Sequence, residues 1–404
     1  MSYFDPTIWR PFTQEEMLNY IDSFTKDGEK NRLSNLDQPD RRDNILVVQK
    51  MTSPLDVYTY LKSRFGVPNG MQTMLKIDDS DNLFHWDYYL MAGDRSLFFI
   101  GATQEVHIWT QDALLDKEWI QLINALKADY ARVGRAKSQV TGTLEKWHVF
   151  PNQFLSIANQ CGKAFDELQT SIEAMSNTVA QPKLSQDPKA YEERSRSMGE
   201  LYGVVASSCI ELGVLTPVMF EAFIGLIVAL TIKPDIQEND RLYKAFMRSQ
   251  LDVKLYELHL KCNGFIRPIR TDNSYMQRYW DIVNRRNDII HGNVNPVKDA
   301  IEIVYFDGKI PLFKSGGDRI DAFHKSLERM YKPESIIADY VATHEFIYDI
   351  IDHMDKEHRD SILILMRDTQ PGYDEKRKRY GHLFPGEVVT FAFDNMRYDS
   401  DLIA

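Results

Sequence analysis

Several residue types and motifs are scarce or missing in this sequence of 404 residues. It contains only three cysteines and no CxxC pair, so neither a disulfide framework nor a structural zinc site is expected. No glycine-rich phosphate loop, HExxH or GxSxG motif occurs, which argues against the enzyme classes that these motifs mark. The first residues, MSYFDPTIWRPF, lack a basic region followed by an apolar stretch. We therefore expect no signal peptide and a cytoplasmic location.

An excess of basic charge is also missing, because 48 Lys and Arg face 59 Asp and Glu and the net charge is -11. Proteins that coat nucleic acid non-specifically usually carry the opposite sign. Any contact with nucleic acid should therefore be local, at a basic patch. The sequence is 43% hydrophobic and 12% aromatic, which excludes wholesale disorder, and its length predicts two domains.

The most apolar run, VLTPVMFEAFIGLIVALTI at residues 214–232, is barely long enough to span a bilayer. It contains Pro217, Glu221 and Gly225. A carboxylate in the middle of a membrane is costly, so we interpret this run as a buried core helix. No membrane partner is expected.

The first 150 residues have the pattern of an α+β domain. Residues 53–65 predict a helix that opens with a Ser cap, and residues 116–133 predict an amphipathic helix. Between them lie four runs with β character, MQTMLKI, NLFHWDYYLM, SLFFIGA and EVHIWTQ. Turn residues separate these runs, so the segment predicts an antiparallel sheet with helices. A sensing or regulatory role fits such a domain.

The rest of the chain has a helical pattern. Residues 151–190 predict a helix and then a polar, proline-containing linker, and residues 191–370 predict an all-α bundle. Its helices are expected near 191–208, 214–232, 239–262, 275–291, 316–331 and 335–367. A small β-hairpin is expected at 301–313, where Asp307-Gly308 supplies the turn. Residues 371–404 are expected to form a basic C-terminal tail.

One short stretch, RRNDIIHGN at residues 285–293, concentrates polar side chains near the end of a predicted helix. At about 100° per residue, an apolar stripe forms on that helix from Met276, Tyr279, Trp280, Val283 and Ile290. Arg286, Asn287 and His291 fall around the same inward face. Inward polar groups are costly unless they are satisfied or used.

The two neighbours of this trio have different expected positions. Arg285 points nearly opposite to the stripe and is expected to be solvated. Gly292 can end the helix directly after the histidine.

RNA cleavage by internal transesterification suits these three residue types. The 2′-hydroxyl is its own nucleophile, so the protein need supply only proton transfer and charge stabilisation. A histidine such as His291 can transfer the proton, and the guanidinium of Arg286 can hold the phosphate. Asn287 can orient the RNA or the histidine. Neither a metal nor another cofactor is needed.

The pattern Arg286-Asn287-xxx-His291, followed by Gly292, resembles the Arg-x(4–6)-His signature of the HEPN superfamily, in its common form with Asn after Arg. Members of that family are helical bundles that often dimerise and place two motifs at a shared cleft. Many are metal-independent endoribonucleases of toxin–antitoxin or anti-phage systems. The resemblance covers about residues 191–370 and does not extend to the first 150 residues.

Spacing alone does not single out this motif. Arg319 to His324 and Arg377 to His382 have the same spacing, but neither arginine is followed by Asn. A structural alternative also stays open, in which His291 caps the end of its helix.

Two further features have open alternatives. Glu221, in the apolar run, needs a partner if it is buried, either Arg286, which it would then position, or another cation of the bundle. The densest basic run contains Lys376, Arg377, Lys378, Arg379 and Tyr380. This run either binds RNA, with the tyrosine as a stacking surface, or is an exposed charged loop.

The expectation from the sequence is a metal-independent endoribonuclease that acts on RNA as a homodimer. A toxin or anti-phage context is implied only by the resemblance. The alternative is a non-catalytic HEPN-like module that binds RNA, a nucleotide or a protein within a larger assembly.

Overall fold

The computed structural model describes most of the chain. The described residues are 2–26, 43–75, 84–176, 187–270, 272–293, 296–297, 300–314, 316, 319–384 and 396–402. Most of the predicted linker, residues 177–186, lies outside these ranges. The chain divides into unit 1, which contains Met1–Lys146 and Leu383–Ala404, and unit 2, which contains Trp147–His382.

The described elements are numbered in chain order. The strands are β1 Trp9–Pro11, β2 Asp43–Val48, β3 Trp86–Ala92, β4 Arg95–Gly101, β5 Val106–Leu114, β6 Trp147–Val149, β7 Val304–Asp307, β8 Ile310–Phe313, β9 Gly372–Asp374, β10 Arg379–Gly381 and β11 Met396–Tyr398. The α-helices are α1 Gln14–Lys26, α2 Pro54–Phe65, α3 Met71–Leu75, α4 Asp116–Asp129, α5 Gly134–Thr143, α6 Gln153–Ser176, α7 Pro188–Thr231, α8 Pro234–Glu238, α9 Asp240–Met247, α10 Leu251–Lys261, α11 Ser274–His291, α12 Arg319–Tyr331, α13 Pro333–Asp352, α14 Lys356–Arg367 and α15 Asp399–Leu402. Two 3-10 turns, Ser2–Phe4 and Pro6–Ile8, precede β1.

Unit 1 is built on a six-stranded sheet in the order β1-β3-β4-β5-β2-β11. The first five strands are antiparallel neighbours, and of these β3, β4 and β5 were predicted from the sequence, whereas β1 and β2 were not. β11 pairs with β2 in parallel. Residues 396–398 are therefore part of this sheet, and the prediction of a basic tail over 371–404 is wrong for them. Met396 is buried with Ile45 and Val47, and this apolar contact holds the short strand.

Two helices of unit 1 were predicted from the sequence, whereas α1, α3, α5 and α15 were not. The predicted helix at 53–65 is confirmed, and the Ser53 hydroxyl caps it by accepting the Asp56 N–H. The helix predicted at 116–133 is present as α4. The run MQTMLKI, predicted as a strand, begins with α3 instead. Its first turn is held by Asp87, whose carboxylate accepts the N–H groups of Gln72 and Thr73.

Unit 2 is mainly helical, and its longest element is α7. The sequence predicted two helices here, near 191–208 and 214–232, but the structure has one helix of 44 residues. Pro217 lies inside it and cannot donate to the Gly213 carbonyl, yet the helix continues because both flanks are packed in the core. The buried side chains on the apolar run include Met219, Phe220, Phe223, Ile224, Ile227 and Val228. By length and composition α7 could cross a membrane, but 56% of its most apolar window is buried within the protein.

The other predicted helices of unit 2 are partly interrupted. The helix at 275–291 is confirmed as α11, whereas the one expected at 239–262 is divided into α9 and α10. The one expected at 335–367 is divided into α13 and α14, because the Asp355 side chain caps the new helix at the His358 N–H.

Two small sheets complete unit 2. The predicted hairpin at 301–313 is confirmed, since β7 and β8 pair antiparallel around Gly308, which has φ +58°. The second sheet has the order β10-β9-β6. The basic run at 374–382 is therefore a β-hairpin of this sheet and not part of a tail.

Candidate functional site

The candidate site lies on α11, and both ends of this helix are fixed by local hydrogen bonds. The Asn273 side chain accepts the Met276 N–H at the start of the helix. At the other end Gly292 has φ +59° and donates to the Ile289 carbonyl, while Asn293 donates to the Asp288 carbonyl. These two bonds form a Schellman motif, which ends the helix directly after His291 as predicted.

The buried face of α11 differs from the predicted stripe. The residues with less than 9% exposure are Met276, Tyr279, Ile282 and Val283. Trp280 is 37% exposed and Ile290 is 55% exposed, so these two predicted members are wrong. The reason is tertiary, because Phe220 of α7 packs on the Tyr279 ring at a centroid distance of 4.7 Å. This contact turns Tyr279 and Ile282 toward the core.

Arg286 contacts Glu221, the residue that the sequence offered as its partner. Its Nη2 atom lies 3.8 Å from Oε1 of Glu221, and the hydroxyl of Tyr279 donates to the same Oε1 at 3.5 Å. The Arg286 side chain is 20% exposed, and its Nε has no hydrogen-bond partner in the described part of the chain. The guanidinium is thus held from one side while part of its donor capacity is unused.

We call Glu221, Lys254, Tyr279 and Arg286 the Glu221 cluster, since the first of them interacts with the other three. Burial raises the pKa of Tyr279 well above its usual value, and the Glu221 carboxylate adds to this effect. The tyrosine is therefore neutral and donates its hydrogen bond. Burial lowers the pKa of Lys254, and Glu221 offsets part of that change. One carboxylate thus balances two cations.

Arg285 has a different partner from the one expected. The prediction of a solvated side chain is wrong, because Nη1 of Arg285 pairs with Oδ2 of Asp339 on α13. Asp339 is only 6% exposed, and its Oδ1 also accepts from Arg278 Nε at 3.2 Å. The buried carboxylate therefore fastens α11 to α13 through two arginines, which helical projection of α11 alone could not reveal.

A small pocket lies beside this ion pair and has room for about one water molecule. Its lining residues are Leu212, Gly213, Thr216, Ile282, Arg285, Ile336 and Asp339. This pocket is too small for a nucleotide.

The predicted trio is not gathered on one inward face. Arg286 and Asn287 are half-buried, whereas His291 is exposed at the last position of the helix. Five residues at about 100° each place Arg286 and His291 about 140° apart around the axis. Within the described ranges they share no hydrogen bond or ion pair, so a single chain does not bring the two groups together.

The basic run forms a tight hairpin around a buried acid. Asp374 is 3% exposed, accepts the N–H groups of Lys376 and Arg377, and pairs with the Arg377 guanidinium at 3.2 Å. Burial opposes ionisation of Asp374, but these hydrogen bonds lower its pKa. Lys376 and Lys378 are exposed.

The other two residues of this run, Arg379 and Tyr380, pack within the small sheet. The Arg379 guanidinium lies 5.1 Å from the centre of the Trp147 ring. Tyr380 is half-buried, with ring contacts to Tyr373 at 4.7 Å and to Phe150 at 5.7 Å. The stacking surface expected from Tyr380 is therefore largely occupied by the protein itself.

Some residues of the site have no clear signal in the sequence. Lys254 and Asp339 lie on helices other than α11, and neither belongs to a recognisable motif. Among the described residues, no group of three or more His, Cys, Asp or Glu side chains could hold a metal ion.

Comparison of the chain with protein-family models, with curated proteins and with solved structures gives no match. The assignment of the site therefore depends on its residues and their geometry.

Proposed function

We propose that this chain is a metal-independent endoribonuclease of the HEPN type, with unit 2 as the catalytic bundle. One observation carries the proposal. Arg286 lies five residues before a histidine that is exposed where α11 ends, and it pairs with Glu221, which also accepts a hydrogen bond from Tyr279. An oriented cation and an accessible proton carrier are what cleavage by the 2′-hydroxyl requires.

The reaction is a transesterification at phosphorus. The 2′-oxygen attacks the phosphorus and loses its proton, while the bond to the 5′-oxygen breaks and that oxygen gains a proton. His291 serves as the base or the acid in these transfers, and Arg286 stabilises the charge on the phosphorane. Asn287 positions the RNA or the histidine. Glu221 positions Arg286 through their ion pair. The products are a 2′,3′-cyclic phosphate and a 5′-hydroxyl.

The active unit in this proposal is a homodimer. The two motif residues of one chain lie about 140° apart on α11, so one phosphate cannot contact both within that chain. A second copy supplies the missing group across a shared cleft. The exposed end of α11 supports this arrangement, because a partner can approach His291 there.

RNA reaches the site with help from local basic charge. Lys376 and Lys378 are exposed in the hairpin of unit 2 and offer phosphate contacts on a protein of net charge -11. Arg377 and Arg379 hold Asp374 and contribute less. Unit 1 acts as the sensing or regulatory part, and the activity belongs to a cytoplasmic toxin or anti-phage system.

The first prediction concerns His291. The purified full chain should cleave a mixed-sequence RNA in the presence of EDTA and release 2′,3′-cyclic phosphate ends. His291→Ala should lower the rate by about a hundredfold or more, because proton transfer is lost. The rate is measured by gel electrophoresis of labelled RNA.

His259→Ala serves as the matched control, since His259 is a half-buried histidine on another helix of the same unit, where its Nδ1 bonds to the Tyr256 carbonyl. It should cleave like the wild type. Equal cleavage by the wild type and His291→Ala would remove the assignment.

The second candidate function is a non-catalytic module that binds RNA, a nucleotide or a protein. The observation that favours it is the ion pair with Glu221, which already occupies one side of the Arg286 guanidinium. Tight RNA binding without turnover, unchanged in His291→Ala, would support this function over the nuclease.

A further inference from the structure

The hairpin of β7 and β8 carries large apolar side chains that the described protein does not cover. Six of them are between 50% and 66% exposed, namely Ile303, Tyr305, Phe306, Ile310, Leu312 and Phe313. They occupy both faces of the ribbon, because Tyr305 pairs with Leu312 while Phe306 pairs with Pro311. A two-stranded hairpin with two apolar faces is at most marginally stable alone in water, so this one is built for a contact.

Pro311 determines which edge of the hairpin can accept another strand. Proline has no N–H, so the Phe306–Pro311 pair cannot exchange hydrogen bonds, and its free backbone groups point outward. Pairs with and without mutual hydrogen bonds alternate along an antiparallel ladder. The backbone N–H and C=O groups of the Val304–Phe313 pair therefore also point outward. The outer edge of β8 therefore lacks a donor at Pro311, whereas that of β7 has complete N–H and C=O groups at Val304 and Phe306.

We propose that β7 is a self-association strand that pairs antiparallel with β7 of a second copy of this chain. The outward groups of Val304 and Phe306 are two residues apart. When a twofold axis passes midway between them, Val304 of one copy faces Phe306 of the other copy. Tyr305 then lies on that axis opposite the partner's Tyr305. The result is a four-stranded sheet in the order β8-β7-β7-β8.

The edge is self-complementary in charge as well as in hydrogen bonding. The residue that lies on the axis is neutral, and Asp307 falls opposite the partner's Ile303 and not opposite another acid. No like charges meet, so nothing opposes pairing of two identical strands.

The apolar surface that this pairing covers lies beside the edge of β7. Tyr305 packs against the partner's Tyr305, and Phe306 packs beside the partner's Val304. The side chains of β8, including Phe313, lie one strand away from the partner, so the backbone hydrogen bonds of β7 contribute much of the contact.

This inference stands on the hairpin alone and does not depend on RNA cleavage. It extends the proposed function, because a dimer is what that function requires. The two can fail separately, since the oligomeric state is measured without RNA.

The second prediction is a cross-link at the axis. Residues opposite each other in a pair without mutual hydrogen bonds have Cα atoms about 4.5 Å apart, which permits a disulfide. Tyr305→Cys should therefore give a disulfide-linked dimer on mild oxidation, seen by non-reducing electrophoresis. The three native cysteines are buried and do not interfere.

Ile310→Cys is the matched control, because Ile310 is similarly exposed on the same face but lies on β8. Its copies would be about 20 Å apart, because three strand spacings across the sheet and four residues along the strands separate them, and they should not cross-link. If both variants formed the disulfide cross-link to the same extent, or if neither did, the proposed register of the β7 pair would be wrong.

A pair of proline substitutions tests the same edge without cross-linking. Light scattering should give the wild type a mass of twice 47.0 kDa. Phe306→Pro removes an outward N–H of β7 and should return the mass to that of one chain. Phe313→Pro removes an aromatic side chain and an outward N–H from β8 and should leave the dimer intact. A monomeric wild type, or a dimer that survives Phe306→Pro, would overturn the proposal.

Discussion

Arg285 and Arg286 are neighbours in the sequence, and each pairs with a carboxylate on a different helix. Arg285 is tied to Asp339 of α13, and Arg286 is tied to Glu221 of α7. A turn of about 100° separates their directions, so one helix contacts two others through adjacent side chains. The acid opposite each arginine, more than the arginine itself, determines its role.

The sequence predicted part of this arrangement. Helical projection and the apolar run were enough to propose the contact of Arg286 with Glu221, because each has a position on a recognisable helix. They could not predict that Arg285 pairs with Asp339, since the acid lies 54 residues further along the chain. Gly292 indicated that His291 lies near an exposed helix end, but projection placed the histidine around the inward face, which is wrong because inward burial also depends on where the neighbouring helices end.

His344 gives the third prediction, which concerns pH. Its Nε2 is buried without a hydrogen-bond partner among the described residues, and its ring packs against Tyr340 at 4.6 Å. Burial lowers the pKa of His344 below its ordinary value of 6.5. The unfolded chain therefore takes up the proton more readily than the folded chain. This contribution to stability is complete above about pH 6.5 and is lost as the pH falls toward the folded pKa.

The measurement is urea unfolding at several values between about pH 7.5 and about pH 5. In His344→Gln the free energy of unfolding should fall less on acidification than in the wild type. A constant difference between wild type and His344→Gln at every pH would show that His344 does not titrate in this range.

Helix ends give the fourth prediction. Gly292 has φ +59°, where an L side chain is strained, although a methyl group added there would meet no atom within 4 Å. Gly292→Ala should therefore lower the free energy of unfolding by about 1–2 kcal/mol through the backbone alone. The loss is measured by urea unfolding.

Gly203→Ala is the matched control, because Gly203 is exposed inside α7 and also has no atom within 4 Å of an added methyl group. Alanine is the better helix former, so this change should raise stability by about 0.4–1 kcal/mol. If both substitutions changed the free energy of unfolding in the same direction, the Schellman geometry would not be what makes Gly292 necessary.

At the scale of elements, the sequence predicted those helices and strands that short local signals define. The bounds of α11 and the hairpin at β7 and β8 follow from a cap, a periodic stripe and a turn. The division of α7 into two helices was wrong because tertiary packing outweighs the cost of Pro217. The strand predicted from MQTMLKI was wrong because Asp87, outside that run, caps a helix there.

At the scale of the whole molecule, unit 1 is discontinuous, and Asp399 adds hydrogen bonds to the strand pairing that links its two segments. Asp399 is fully buried and accepts the N–H groups of Lys50 and Met51 at 2.7 and 2.6 Å. The fifth prediction is that Asp399→Ala leaves these donors unsatisfied and destabilises unit 1 by about 1–3 kcal/mol. Hydrogen exchange should accelerate in β2 and not in α6.

Asp401→Ala is the control for this change. Asp401 is exposed and its contact with Arg397 is 3.9 Å long, so its loss should leave exchange in β2 unchanged. Faster exchange throughout the chain in Asp399→Ala would contradict a role confined to unit 1.

The parallel strand β11 has a consequence for how the protein folds during its synthesis on the ribosome. Residues 147–382 are continuous and can begin to fold as they emerge, but β2 has to wait for a neighbour that follows it by about 350 residues. At about 5–20 residues per second, these residues take about 18 to 70 seconds to translate. During that interval one edge of β2 is open to other nascent chains. The sheet of unit 1 is thus completed only after all of unit 2 has been synthesised.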